Sequence, residues 1–190
     1  MDFEGRTRRL LLVPLQLPDA AQAQELFPRW EIVRYLQNRV PWPYPPNGAE
    51  EYFREVALPQ VERGEAWHWT IRLATGPERL IGMISLMRGE DNRGFWLGLP
   101  WHRQGIMTEA CVWANDFWFE RLGMPLLRVS KAADNLASRR ISLKQGMRLT
   151  GAGEKNYVAG RLKSETWELS ADEWKSWKMR QEPEKIAAGD

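Results

Sequence analysis

The sequence predicts an α/β protein in which a sheet is flanked by helices. Stretches of alternating or clustered apolar residues, typical of strands, interchange along the chain with stretches of helical apolar spacing. The clearest case is 94–122, where an apolar strand, a basic glycine turn and a helix follow one another. The chain has 190 residues, which suits one domain with a substantial core. We expect that domain to span residues 1–181 and residues 182–190 to form a flexible tail.

The first half of the chain predicts one strand and three helices ahead of a pair of strands. Proline at position 18 suits the first turn of a helix, and Asn47 has the form of a helix N-cap. The turn at Thr75-Gly76-Pro77 separates the two strands. The predicted elements are a strand at 8–17, helices at 18–27, 30–38 and 48–63, and strands at 67–73 and 80–87.

The second half predicts a strand from Gly94, ended by Pro100 because proline cannot donate to a strand ladder. Its aromatic residues suit a strand that is buried on both faces. Gly123 and Gly146 are expected helix ends, and Ser170 with Glu173 forms a capping box. The predicted elements are helix 107–122, strand 126–130, helix 134–145, strands 147–151 and 162–169, and a last helix from 170.

The turn after Pro100 has the features of an anion site. The first N–H groups of a helix have no partner within the helix, so an anion can accept hydrogen bonds from them. Arg103 adds positive charge, and Gly105 allows an anion to approach the backbone closely.

This stretch resembles the acyl-CoA signature of the GNAT superfamily of N-acetyltransferases, Gln/Arg-x-x-Gly-x-Gly/Ala at the start of a helix. Here the slots run from His102 to Met107, and Gly105 is the strict match, while His102 and Met107 depart from the pattern. The string Gln-Gly-x-Met-Thr-Glu-Ala after Gly-aromatic-Trp-Leu-Gly resembles the RimJ/RimL-like branch, which contains ribosomal-protein N-terminal acetyltransferases.

A second family motif, Asn-x-x-Ser/Ala followed by Gly and an apolar residue, has its counterpart at Asn135, Ser138, Gly146 and Met147. The resemblance implies a mixed, twisted, mostly antiparallel sheet with splayed central strands. It also implies direct transfer of acetyl from acetyl-CoA to a primary amine. The residues expected to bind acetyl-CoA are Leu97, Gly98 and Leu99 along pantetheine, Arg103, Gln104, Gly105, Ile106, Met107 and Thr108 around the pyrophosphate, and Asn135 and Ser138.

The catalytic assignments are less constrained by the sequence. Ser138 is expected to hydrogen-bond the departing thiolate, and Asn135 has the alternative reading of a plain helix cap. Many superfamily members carry a tyrosine four residues after the Ser/Ala slot as general acid, where this chain has Ser142. Glu154 is our candidate for the base, with Glu90 and Asp91 as rivals. His68 is expected to be a packing residue rather than a base.

The proline-rich segment 41–46 is either a rigid connector or a wall of the acceptor pocket. In the second reading, Trp42 and Tyr44 offer rigid aromatic surface to the substrate.

Composition narrows the class of protein. A formal net charge of +2 gives no argument for a nucleic-acid partner, and one cysteine and two histidines form no metal-ligand pattern. Cys111 fits a buried thiol in a reducing compartment. We find neither a signal peptide nor an apolar stretch of the ~20 residues that span a membrane, so we expect a cytoplasmic protein. Its expected partners are acetyl-CoA and an amine acceptor.

The resemblance favours a protein N-terminus as the acceptor. A small amine, such as an amino acid, a polyamine or an aminoglycoside, is the enzymatic alternative. A third reading is an acyl-CoA-binding module without catalysis. The sequence leaves open whether the chain forms a homodimer.

Overall fold

Two antiparallel sheets form the scaffold of this computed structural model, which describes residues 3–187 and side chains as far as residue 181. The first sheet has the strand order β1-β2-β3-β4-β5, and the second has the order β6-β8-β7. The strands are β1 (Gly5–Arg6), β2 (Leu10–Pro14), β3 (Ala66–Leu73), β4 (Gly76–Met87), β5 (Arg93–Leu97), β6 (Leu126–Ala132), β7 (Arg148–Tyr157) and β8 (Gly160–Ser170).

Helices cover both faces of the first sheet. The α-helices are α1 (Ala20–Leu26), α2 (Trp30–Val33), α3 (Gly48–Tyr52), α4 (Leu58–Glu62), α5 (Ile106–Asp116), α6 (Leu136–Lys144) and α7 (Ala171–Ala187). Wider π-helical turns at Phe53–Ala57 and Phe117–Arg121 connect α3 to α4 and extend α5. One core lies between the first sheet and α5 and continues to the second sheet, and a smaller core lies under α1 and α3. Among residues 3–187 no helix is both long and apolar enough to cross a membrane.

The two sheets meet at the start of β5, and the strands separate from there. The amide of Asn92 donates to the carbonyl of Arg128 at 2.7 Å, and the Asn92 side chain accepts from the Arg128 amide at 2.8 Å. Asp91 reinforces this junction by accepting a hydrogen bond from the amide of Ser130. Beyond it β5 and β6 form no ladder. The predicted splay of the central strands is therefore confirmed, and it divides the predicted sheet in two.

The predicted order of strands and helices is confirmed from β2 onwards, whereas the short strand β1 (Gly5–Arg6) was not predicted. Three of the predicted elements also differ locally. The helix expected at 30–38 ends at Val33, because the carbonyls of Arg34 and Leu36 accept instead from the amides of Ala159 and Val158. The strand expected at 147–151 continues to Tyr157. β5 lies at the edge of its sheet, so its aromatic residues are half-buried rather than covered on both faces.

The last helix begins at the predicted capping box and extends into the segment that was predicted to be a tail. The capping box is formed, since the amide of Ser170 donates to Glu173 Oε2 and the amide of Glu173 donates to Ser170 Oγ. The backbone is helical to Ala187, and residues 188–190 of the expected tail lie outside the described part of the chain.

Candidate functional site

The N-termini of α5 and α6 lie at the same end of the splay. Arg93, at the start of β5, donates hydrogen bonds to Asn115 in the last turn of α5 and to Gln145 at the end of α6. The C-terminal ends of both helices therefore converge where the strands are joined. Their N-termini lie towards the open end, and α5 is preceded there by the turn 98–105.

The backbone amides of residues 103–108 form the most distinctive feature of this end. Within the described range 3–187 none of these amides forms a hydrogen bond of standard geometry, and the first paired amide is that of Glu109, which donates to the Gly105 carbonyl at 3.0 Å. Arg103 and Gly105 both have left-handed backbones, with φ of 62° and 74°. Such alternation turns successive N–H groups towards one concavity, which is a recurring arrangement for binding anions.

Arg9 holds this turn in place from the first sheet. Its Nη1 donates to the carbonyl of Gln104 at 2.9 Å, and its Nε donates to Glu109 Oε2 at 2.7 Å. Burial opposes ionisation of Glu109, but hydrogen bonds from Thr7 and Arg9 outweigh it and hold its pKa below the ordinary value. A Cβ on Gly105 would meet only Arg9 Nη2, at 3.5 Å. The glycine is therefore required by its backbone conformation rather than by crowding.

Residues 97–99 connect the last residue of β5 to the first residues of this turn. The Gly98 amide donates to the Ile81 carbonyl at 2.8 Å, which ends the pairing with β4. His102 Nε2 lies 2.8 Å from the carbonyl of Leu97. The histidine that departs from the family pattern thus closes the turn back onto the strand.

The start of α6 combines Asn135 and Ser138. Asn135 Oδ1 accepts from the Ser138 amide at 3.2 Å, so this asparagine does cap the helix. Ser138 is nearly buried, and Ser142, at the slot of the family tyrosine, is fully buried. Lys131 of β6 donates to the Ser138 carbonyl at 3.2 Å and to Ser142 Oγ.

Two of the candidate bases, Glu154 and Asp91, lie in different surroundings. Glu154 is exposed on β7 and pairs with Arg161 at 2.8 Å. Asp91 accepts from Ser130, from Gln37 Nε2 and from Lys155 Nζ, so it serves the junction of the two sheets.

His68 is buried on β3 with Ser85 Oγ 2.7 Å from its Nδ1, and its Nε2 has no partner among the described residues. Burial, with a smaller contribution from Arg39, lowers the pKa of His68 to about 4. The imidazole is therefore neutral at physiological pH.

Trp42 and Tyr44 have different surroundings. Trp42 is 42% exposed and packs against Trp30, with ring centroids 5.6 Å apart. Tyr44 packs edge-on against Phe27 at 5.0 Å, and burial, followed by Tyr52 and Glu51, raises the pKa of Tyr44 to about 12. Of the two, Trp42 presents the freer surface.

The described residues were also compared with the requirements of a metal site and of a reactive thiol. Residues 3–187 hold no cluster of three or more His, Cys, Asp or Glu side chains. Cys111 is buried in the core, and burial raises the pKa of its thiol.

Sequence reasoning missed Arg9, Arg93 and Lys131. Arg9 acts on a turn far along the chain, and nothing in its own sequence context indicates that contact. A lysine inside the apolar strand Leu126–Ala132, just before the Asn135 motif, is a signal that could have drawn attention to Lys131.

Known proteins resemble this chain in sequence and in fold. The profile of the acetyltransferase (GNAT) domain matches residues 9–148. The probable N-acetyltransferase YjcK of Bacillus subtilis is 32% identical over 103 residues, which are 51% of this chain and 56% of that protein. The aligned region thus spans little more than half of that relative.

Solved structures share the fold at low sequence identity. A ribosomal-protein-S5-alanine acetyltransferase from Vibrio fischeri superposes with a TM-score of 0.76 at 15% identity, covering 91% of this chain and 99% of that one. RimJ of Mycobacterium smegmatis, in complex with CoA-disulfide, gives 0.76 at 15% identity, covering 90% of this chain and 88% of that one. At these identities the likeness concerns the fold.

Proposed function

The chain belongs to the GNAT acetyltransferase family, and we propose that it transfers the acetyl group of acetyl-CoA to the α-amine of a protein or peptide N-terminus. The row of unpaired amides at residues 103–108 is the observation that carries the proposal. Several N–H groups that converge at the start of α5, together with Arg9 and Arg103, suit the doubly charged diphosphate of CoA. The rest of the expected acetyl-CoA set, 97–99, Asn135 and Ser138, lies at the same open end of the splay.

Direct transfer of the acetyl group requires the protein mainly to position the amine against the thioester. In direct attack the amine nitrogen bonds to the thioester carbon, the C–S bond breaks, and the electron pair leaves with sulfur. A CoA thiol has an acidity like that of cysteine, with a pKa of ~8.5, so a hydrogen bond from Ser138 is sufficient help for the leaving thiolate. We keep Ser138 as the residue facing the leaving group and Glu154 as the candidate base, and Asp91 is the weaker rival because its oxygens already accept from three donors.

Acceptor choice follows from the cost of deprotonation. At pH 7 an α-amine with a pKa of ~8.0 costs about 1.4 kcal/mol to deprotonate, whereas a lysine with a pKa of ~10.4 costs about 4.6 kcal/mol. Our candidate base, Glu154, is a carboxylate and thus a weak base, which suits the α-amine better than a lysine. Names of fold relatives, such as the ribosomal-protein-S5-alanine acetyltransferase, point to the same class of acceptor. Trp42 is the residue we expect to contact the acceptor peptide.

The test is thiol release from acetyl-CoA, measured with three sets of acceptors: peptides with free N-termini, the same peptides with blocked N-termini and one lysine, and small amines. We expect release with the free N-termini. Thiol release with small amines alone would show that the acceptor is a small amine. If the protein binds CoA but releases no thiol with any of the three sets of acceptors, it is an acyl-CoA-binding module, and the proposed enzymatic activity is wrong.

A further inference from the structure

Lys131 lies in an environment that is unusual for a lysine. It is 5% exposed on β6, beneath the first two turns of α6. Its ammonium group donates to the Ser138 carbonyl at 3.2 Å and to the hydroxyl of Ser142, and it lies 5.7 Å from the centre of the Trp167 ring. Both hydrogen bonds go to the helix that begins with Asn135 and carries Ser138.

No carboxylate of the described residues lies within ion-pair distance of Lys131. The nearby Arg93 is also buried, at 7% exposure, and its partners are Asn115, Gln145 and the Met147 sulfur rather than a carboxylate. Two cations are thus buried together without a direct counter-ion. Replacing buried charge by apolar residues of similar volume is often neutral or stabilising, so this arrangement is a poor device for stability.

The electrostatic surroundings make the charge of Lys131 responsive to pH. Burial first, and Arg93 second, lower the pKa of Lys131 to about 7, with Arg139 of α6 acting in the same direction. Cys111 of α5 and Glu165 of β8 act in the opposite direction. The ammonium form therefore prevails below neutrality and the neutral amine above it.

We propose that Lys131 is a positioning residue for acetyl transfer, whose ammonium form fixes the first two turns of α6 and thereby the hydroxyl of Ser138 against the leaving thiol. This inference rests on the proposed function. Lys131 keeps its protons throughout the turnover. The amine proton passes to the base and then to solvent, and the thiolate is released or protonated by solvent. Hydrogen bonds from an ionised donor are about twice as strong as neutral ones, so deprotonation of Lys131 loosens the hold on α6.

The experiment compares the wild-type protein with Lys131→Met, which keeps an unbranched side chain, shorter by one heavy atom, and removes its charge. The hydrogen bond from Ser138 to the thiol is worth about 1 kcal/mol, so its loss through misplacement of α6 should lower kcat by about 3- to 5-fold at pH 6. The KM for acetyl-CoA should change less than ~3-fold. Because both proteins use the same amine, its own titration cancels in the ratio of wild-type to variant kcat. We expect that ratio to decrease from about 3–5 at pH 6 to about 1 at pH 9, as wild-type Lys131 loses its charge.

The controls distinguish the possible causes of a lost rate. Lys175→Met removes an exposed lysine from α7 and should leave kcat unchanged. Thermal unfolding should show Lys131→Met to be as stable as the wild-type protein or more so, whereas a purely structural lysine would give a less stable variant with a pH-independent rate ratio. A wild-type protein without turnover would instead count against the proposed function.

The inference is overturned if Lys131→Met retains wild-type kcat at pH 6, or if the rate ratio is constant with pH. Should that variant not fold, Ser142→Ala, which removes one acceptor of the ammonium, is measured in the same way. A wild-type kcat in Ser142→Ala at pH 6 would then be the contradicting result.

Discussion

Gly105 offers the sharpest perturbation of the anion site, because substitutions there separate charge from strain. Its φ of 74° lies in the left-handed region, and a Cβ there would meet only Arg9 Nη2 at 3.5 Å. Any non-glycine residue therefore pays ~1–2 kcal/mol of backbone strain without a steric clash. Gly105→Gln and Gly105→Glu carry nearly the same side chain and the same strain, so the difference between them measures the effect of one negative charge.

The expected size of that difference follows from Coulomb's law. A carboxylate about 4 Å from a phosphate charge, at an effective dielectric constant of about 20, is repelled by roughly 4 kcal/mol. The site is open to water, so we discount this to about 1.5–2 kcal/mol, which corresponds to a loss of roughly 10- to 30-fold in affinity. Calorimetric titration with CoA should show Gly105→Glu binding at least ~10-fold more weakly than Gly105→Gln.

Gly123 provides the matched control for this experiment. It has a φ of 64° after the end of α5, and no atom lies within 4 Å of its added Cβ. Gly123→Gln and Gly123→Glu should lose stability by a similar ~1–2 kcal/mol and bind CoA as the wild-type protein does. Equal CoA affinities of Gly105→Gln and Gly105→Glu would refute the assignment of the diphosphate to this turn.

Three further predictions concern the turn, the leaving group and pH. Ser138→Ala should lower kcat at least ~5-fold, since a net hydrogen bond contributes about 1 kcal/mol, and a smaller decrease in steady-state rate would count against its role. Arg9→Gln should raise the KM for acetyl-CoA about two- to fivefold, as expected for ~0.3–1 kcal/mol at a helix N-terminus, and an unchanged KM would contradict this. The folded-state pKa of His68 is about 4 against 6.5 ordinarily, so the unfolded chain binds more protons between these values. Lowering the pH from 7 to 5 should therefore destabilise the wild-type protein by about 2 kcal/mol more than His68→Gln in denaturant titrations, and parallel pH profiles would contradict the burial of a neutral His68.

The sequence predicted those features of the fold that depend on local patterns. Apolar periodicity identified most strands and helices, and the glycines expected to end helices, Gly123 and Gly146, have left-handed backbones. Gly105 was predicted for a different reason: a residue without a Cβ lets an anion approach the backbone, and this glycine matches the family motif. Its left-handed backbone is a further requirement for glycine there.

Features that depend on distant contacts were not predicted. The helix at 30–38 has acceptable local spacing, but its end is decided by pairing with Val158 and Ala159. β7 was predicted too short because its residues are mainly exposed and lack the alternation of a half-buried strand. The anchoring of the turn by Arg9 and the burial of Lys131 without a counter-ion arise only when separate segments pack together.

The proposed diphosphate site consists of the free amides of residues 103–108, and amide NMR observes these groups directly. In a ¹⁵N-labelled sample, saturating CoA should shift the resonances of these amides, while pantetheine, which lacks the diphosphate, should leave most of them in place. If CoA binds and the amides of 103–108 do not shift, the diphosphate lies elsewhere and the proposed site is wrong.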